Sequence, residues 1–163
     1  MSSEGSHADA VRASFQATHL RVAILVARFN QDITDRLLDG ARQCLAENGV
    51  APENIEVLHV PGAWELPQAA AWVVDHGAHD VVVTLGCVVR GETPHFEYVS
   101  QEATRGLGAV ARSADIPVVF GVLTTDDRAQ ALARAAEGRD NKGYEVTLAA
   151  LEMADLKRTV EEL

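Results

Sequence analysis

Asp80-Val81-Val82-Val83-Thr84-Leu85-Gly86, followed directly by Cys87-Val88-Val89-Arg90-Gly91-Glu92-Thr93-Pro94-His95, decides how this chain is read. The first seven residues have strand length and are almost wholly apolar, as a strand buried on both faces must be. The next nine bring glycine, charge, a hydroxyl and a proline, and then open a helical pattern over 94–113. A buried strand that runs through a polar loop into a helix is the repeating unit of a parallel sheet.

The same unit recurs on either side. A strand over 20–27 leads to a helix over 32–47, with Gly49 as its stop. A strand over 55–60 ends at Pro61-Gly62 and leads to a helix over 66–76 closed by Gly77. A fourth strand over 116–123 is followed by helices over 126–136 and 144–161. Pro52, Pro61 and Pro117 fall at strand edges, where a missing N–H is tolerated. The expectation is an α/β three-layer sandwich, a four-stranded parallel sheet with helices on both faces. Residues 1–18, rich in Ser, Gly, His and Ala, are expected to form a flexible arm, and 19–163 a single domain without internal repeats.

Composition narrows the function. The 163 residues are 47% hydrophobic and 23% charged, the proportions of a globular domain that buries a sizeable core. A net charge of -10 argues against nucleic acid or an anionic membrane as partner, so an anion site must win locally through backbone N–H groups and a few cations. Lys142 and Lys157 are the only lysines, a poor basis for Schiff-base catalysis. Cys44 and Cys87 are too few for a disulfide framework or a Cys-rich zinc site. The chain shows no signal-peptide pattern and no membrane-length apolar run, which makes the cytoplasm the expected location.

In open parallel sheets ligands bind beyond the carboxyl ends of the strands. That rule selects four loops: Arg28-Phe29-Asn30, Pro61-Gly62-Ala63-Trp64-Glu65, the 87–95 stretch, and a loop starting at Phe120-Gly121. Phe29, Trp64 and Phe120 then stand at strand exits, where flat rings suit a planar heterocycle; capping the core is the plainer use of each. Gly91-Glu92-Thr93 precedes Pro94, a residue favoured in a first helical turn, so its N–H groups and the Thr93 hydroxyl would meet a phosphate at a positive helix terminus. Ordinary capping by Thr93 is the alternative. His95, beside that anion, is placed to move protons near neutral pH. The other histidines (His7, His19, His59, His76 and His79) read as structural or solvated, and none has a carboxylate-rich set that suggests a metal.

Two signals fail. Gly106-Leu107-Gly108-Ala109-Val110-Ala111 fits a dinucleotide-binding pattern but lies inside a helix, where it reads as close helix packing. Cys87 invites a cysteine-phosphatase reading, but Thr93 stands where that loop needs arginine.

Arg28-Phe29-Asn30, Pro61-Gly62-Ala63-Trp64-Glu65-Leu66-Pro67, the run from Leu85-Gly86 through His95-Phe96-Glu97, Phe120-Gly121-Val122-Leu123-Thr124-Thr125 and Asn141-Lys142-Gly143 together resemble the lumazine synthases, in order and spacing, over 20–156. The resemblance implies a flavodoxin-like sheet in the order 2-1-3-4. It implies a transferase of riboflavin biosynthesis that condenses 5-amino-6-(D-ribitylamino)uracil with 3,4-dihydroxy-2-butanone 4-phosphate. The products are 6,7-dimethyl-8-ribityllumazine, phosphate and water, and neither a metal nor an organic cofactor is implied.

By the same resemblance Phe29 stacks on the pyrimidine, and Ala63, Trp64 and Glu65 line the ribityl pocket, with Asn30 a weaker candidate. Backbone groups of Cys87, Val88 and Val89 read the pyrimidine edge, Glu92 and Thr93 hold the phosphate through main-chain N–H groups, and His95 is the acid/base. Phe120, Lys142 and the phosphate-binding Arg134 are implied to come from the neighbouring subunit of a homopentamer. Ala136-Glu137-Gly138-Arg139-Asp140 has the length, though not the chemistry, of the stretch found in members that build sixty-subunit icosahedral shells. The resemblance thus implies a pentamer, a shell on the ground of that length, and riboflavin synthase as a possible partner. A non-catalytic flavin- or lumazine-binding homologue would use Phe29, Trp64 and Glu65 but would not need His95, Thr93 and Arg134 together, and a pure shell-forming scaffold would need none of them. The presence of all of them favours the enzyme.

Overall fold

The computed structural model describes residues 17–163. Four parallel strands, β1 (Val22–Ala27), β2 (Ile55–Val60), β3 (Val81–Val89) and β4 (Val118–Thr125), form one sheet in the order β2-β1-β3-β4, the order the resemblance implies. Five helices connect or follow them: α1 (Gln31–Glu47), α2 (Leu66–His76), α3 (His95–Ser113), α4 (Arg128–Arg134) and α5 (Lys142–Glu161), with short 3-10 turns at Pro52–Asn54 and Ala63–Glu65.

Burial explains the layers. All six residues of β1 are buried, and alternate side chains go to opposite faces. Val22, Ile24 and Val26 join Ile33 and Leu37 of α1 and Tyr144 and Leu151 of α5 in one cluster. Leu25 and Ala27 join Leu66 and Ala70 of α2 and Ala103 and Leu107 of α3 in the other. The edge strands β2 and β4 are only partly covered. Glycines, which carry no side chain, let the layers close. A Cβ on Gly143 would stand 1.9 Å from the Leu37 carbonyl oxygen, so α5 lies directly on α1. A Cβ on Gly106 would stand 2.6 Å from the Pro67 ring, so the failed dinucleotide pattern is helix packing.

Several element limits differ from the sequence expectation, each for a local reason. β3 runs three residues past Gly86, so Cys87, Val88 and Val89 are strand rather than loop; they pair with Leu123, Thr124 and Thr125. Gly86 is no stop because the strand is crowded there: a Cβ would come 3.2 Å from Leu66 Cδ1. β4 begins after Pro117 and runs on to Thr125, which puts Phe120 inside the strand beside Thr84 rather than at a strand exit. α4 is held to 128–134 because Asp127 caps it, accepting from Gln130 N at 2.8 Å. α5 starts at Lys142 because Asn141 caps it, accepting from the N–H groups of Gly143 and Tyr144. Residues 1–16 of the expected N-terminal arm lie outside the described residues; of its last two, Ala17 is buried and Thr18 exposed.

Candidate active site

The site is built where strands of unequal length end together. β1 stops at Ala27 and β2 at Val60, while β3 and β4 continue side by side to Val89 and Thr125. Beyond Leu85, β3 therefore has β4 on one side and no strand on the other. The exits of β1 and β2 stay tied, with Arg28 N donating to Val60 O and Phe29 N to Pro61 O, both at 2.9 Å. Asn30 then turns the chain into α1 at φ 62°, a left-handed conformation that asparagine tolerates better than most residues. Its side-chain Nδ2 donates to Cys87 O at 2.9 Å, fastening the β1 exit to the overhanging edge of β3.

That fastening positions Phe29, which is 66% exposed and whose ring lies 2.4 Å from where a Cβ on Gly62 would stand. Glu65 folds back over the same turn, its Oε2 accepting from Gly62 N at 3.0 Å, which leaves Oε1 to accept from a ligand. Phe29, Gly62, Ala63, Trp64 and Glu65 form one wall of a cleft of about 460 Å³, and His95, Tyr98 and Val99 of α3 form the other. The cleft is open to solvent at exposed Phe29, Trp64, Tyr98 and His95. It offers three flat rings, an accepting carboxylate and an imidazole within one ligand-sized space.

Between β3 and α3, Gly91, Glu92 and Thr93 are all exposed. The N-cap of α3 is Pro94 rather than Thr93, and no side chain caps it, so the first-turn N–H groups of α3 have no side-chain acceptor. Pro94 thus stands one position ahead of the first turn. Arg90, at the end of β3, is held between Glu97 Oε1 at 2.8 Å and Asp126 Oδ1 at 3.0 Å. These bonds, to Asp126 foremost, raise the guanidinium above its ordinary pKa.

Cys87 is 4% exposed, and burial pushes its thiol up to about 11. It therefore stays a neutral thiol at ordinary pH, unlike a nucleophilic cysteine.

Of the residues named from sequence, Phe29, Ala63, Trp64, Glu65 and His95 line the cleft. Cys87, Val88 and Val89 form the β3 ledge, and Glu92 and Thr93 the loop before His95. Phe120, Arg134 and Lys142 do not line this cleft. Phe120 is 38% exposed on edge strand β4, Arg134 ends α4 with Nη1 donating to Gln130 O at 3.1 Å, and Lys142 pairs with Glu145 at 3.0 Å at the start of α5. Sequence reasoning missed Tyr98 and Val99; their spacing of three and four from His95 puts them on the same helix face, which would have found them. Among the described residues no group of three His, Cys, Asp or Glu could hold a metal. His79 lies at the far end of the sheet, 2.8 Å from Glu56, and His7 is outside the described residues.

A family model described as 6,7-dimethyl-8-ribityllumazine synthase matches residues 19–158. A protein of that name from Pediococcus pentosaceus is 47% identical over 148 residues, which is 91% of this chain and 95% of that one. Another from Desulfatibacillum aliphaticivorans is 47% identical over 146 residues, 90% of this chain and 94% of its own.

Proposed function

The chain belongs to the 6,7-dimethyl-8-ribityllumazine synthase family, and we propose that the Phe29–His95 cleft is where it does the family's work. The reaction condenses 5-amino-6-(D-ribitylamino)uracil with 3,4-dihydroxy-2-butanone 4-phosphate to give 6,7-dimethyl-8-ribityllumazine. The observation that carries the reading is that His95 shares one cleft with Phe29, Trp64 and Glu65, directly after the exposed Gly91-Glu92-Thr93 loop. Neither relative nor family speaks for a non-catalytic carrier.

In this reading the pyrimidine ring stacks on Phe29, and the β3 ledge offers main-chain donors and acceptors to its edge. The ribityl hydroxyls donate to Glu65 Oε1 beside Trp64 and Ala63. The phosphate sits at the uncapped start of α3 among the N–H groups of Glu92 and Thr93, where the helix dipole favours an anion. The pyrimidine amine attacks the ketone and water leaves as the imine forms between the two substrates. Phosphate is then eliminated, and ring closure releases a second water. His95 donates and accepts the protons of these steps. Alignment of two bound reactants supplies much of the acceleration.

No lysine or arginine lines this cleft, and the chain as a whole is acidic. We take Arg134, Phe120 and Lys142 to complete the cleft of an adjacent copy, which makes the working unit a homopentamer. The length of 136–140 extends the proposal to a sixty-subunit shell, with riboflavin synthase as a candidate cargo. Two free cysteines suit a reducing cytoplasm. No helix among the described residues is long and apolar enough to cross a membrane.

Purified protein given both substrates should form lumazine, followed by its absorbance and fluorescence. A rate no higher than the spontaneous background would overturn the reading.

A further inference from the structure

Arg90 stands where three elements meet. Its Nη1 donates to Glu97 Oε1 at 2.8 Å, its Nε donates to Asp126 Oδ1 at 3.0 Å, and its guanidinium carbon lies 4.5 Å from the centroid of the Phe96 ring. Phe96 and Glu97 belong to the first turn of α3, which His95 opens. Asp126 belongs to the turn that leads into α4, which Arg134 ends. That turn is itself braced: Asp126 N donates to Gln130 Oε1 at 2.8 Å, and Asp127 caps α4. The backbone joins in, with Arg90 N donating to Thr125 O at 2.8 Å.

Stability does not account for this arrangement. The Arg90, Glu97 and Asp126 side chains are 45%, 47% and 70% exposed, and single ion pairs so exposed contribute little. Geometry does account for it. A planar fork can meet two carboxylates and lie over a ring at once, which an ammonium cannot.

Resting on the reading of the cleft as the condensation site, we propose that Arg90 is a positioning residue. It sets the Gly91-Glu92-Thr93 loop and His95 against the turn that carries α4 and Arg134. Arg90 touches no substrate; it acts through the start of α3. Because Arg134 serves the adjacent copy, the same guanidinium links one subunit's own phosphate loop to the cation it lends.

The full chain is tested as Arg90→Gln, Arg90→Lys and Asp126→Asn, with kcat and both KM values and thermal unfolding measured for each. Arg90→Gln should unfold close to the wild-type temperature yet lose about tenfold or more in kcat/KM, a modest fraction of what small misplacements of reacting groups cost. KM should rise more for the butanone phosphate than for the pyrimidine. Arg90→Lys should recover only part of the loss, and Asp126→Asn should show the same pattern more weakly. Wild-type kcat and KM in a folded Arg90→Gln would overturn the proposal, as would full recovery by lysine or losses that merely follow unfolding temperature. Should Arg90→Gln not fold, Asp126→Asn carries the same test, because its carboxylate is the most exposed member. A wild-type chain that makes no lumazine would sink the functional reading instead. Inorganic phosphate binding by calorimetry then decides separately: weaker binding by Arg90→Gln supports the positioning role, and equal binding overturns it.

Discussion

Phe29 is 66% exposed, and its ring occupies the space that a side chain at Gly62 would fill. The clash is with the movable end of a side chain and not with backbone, so Gly62→Ala should fold normally and push the ring aside. Losing a stacked ring of ordinary worth should raise KM for the pyrimidine roughly three- to tenfold. Steady-state kinetics beside a thermal melt would show it; an unchanged KM would argue against the stack. Cys87 gives a second test at this scale. Burial lifts its thiol from 9.0 to about 11, so the folded state holds its proton where the unfolded chain has lost it. Stability should be whole below about pH 9 and decline from there towards about pH 11, as the unfolded thiol ionises first. Denaturant unfolding at about pH 8 and about pH 10 should show a larger loss in wild type than in Cys87→Ala. Residue roles were unevenly legible. Phe29 and Trp64 could be named because they follow apolar runs of strand length, whereas the role of Glu65 came from the resemblance. Tyr98 was missed although it follows His95 by three positions in a helix the sequence already implied.

Helix and strand limits were readable where chain chemistry enforces them. Gly77 closes α2 with φ 77°, and β2 ends at Val60 just before Pro61-Gly62. They were unreadable where pairing enforces them. Nothing local says that Gly86 continues a strand, because the reason is Leu66 and Val122 packed beside it, far away in sequence. Phe120 falls within the strand expected over 116–123 and yet was counted among the exit residues; its pairing with Thr84 keeps it in β4. The most demanding contact between elements is α5 on α1. A methyl at Gly143 meets the Leu37 carbonyl, which cannot swing away as a side chain can. Gly143→Ala should therefore cost about 1–3 kcal/mol by overpacking. Equilibrium unfolding in urea measures it, and a neutral result would mean that the helices separate more easily than their packing suggests.

At the scale of the whole molecule, the resemblance implies a phosphate-binding role for Arg134, which the folded subunit keeps outside its own cleft. On the proposed reading, no account of one chain could place Arg134, Phe120 or Lys142 in a site, because the geometry that would unite them belongs to an assembly. A shared site makes a sharp prediction. His95→Ala and Arg134→Ala chains, each nearly inactive alone, should regain activity when unfolded and refolded together. With random mixing in a closed ring about a quarter of the clefts would receive both intact groups. No recovery in mixed oligomers would mean that Arg134 acts within its own chain or not at all.

The overhang of β3 and β4 past the ends of β1 and β2 has a consequence for inhibition. Recognition by Cys87, Val88 and Val89 is proposed to run through peptide groups, which every amino acid but proline supplies alike. Their side chains, meanwhile, are committed to packing: Cys87 sits in the core on one face, and Val88 and Val89 are partly buried against the two clusters. A compound that draws its hydrogen bonds from this ledge leaves the protein few single substitutions by which to acquire resistance. Resistance should instead surface at Phe29, Trp64 or the α3 wall, where the contacts belong to side chains that can be exchanged.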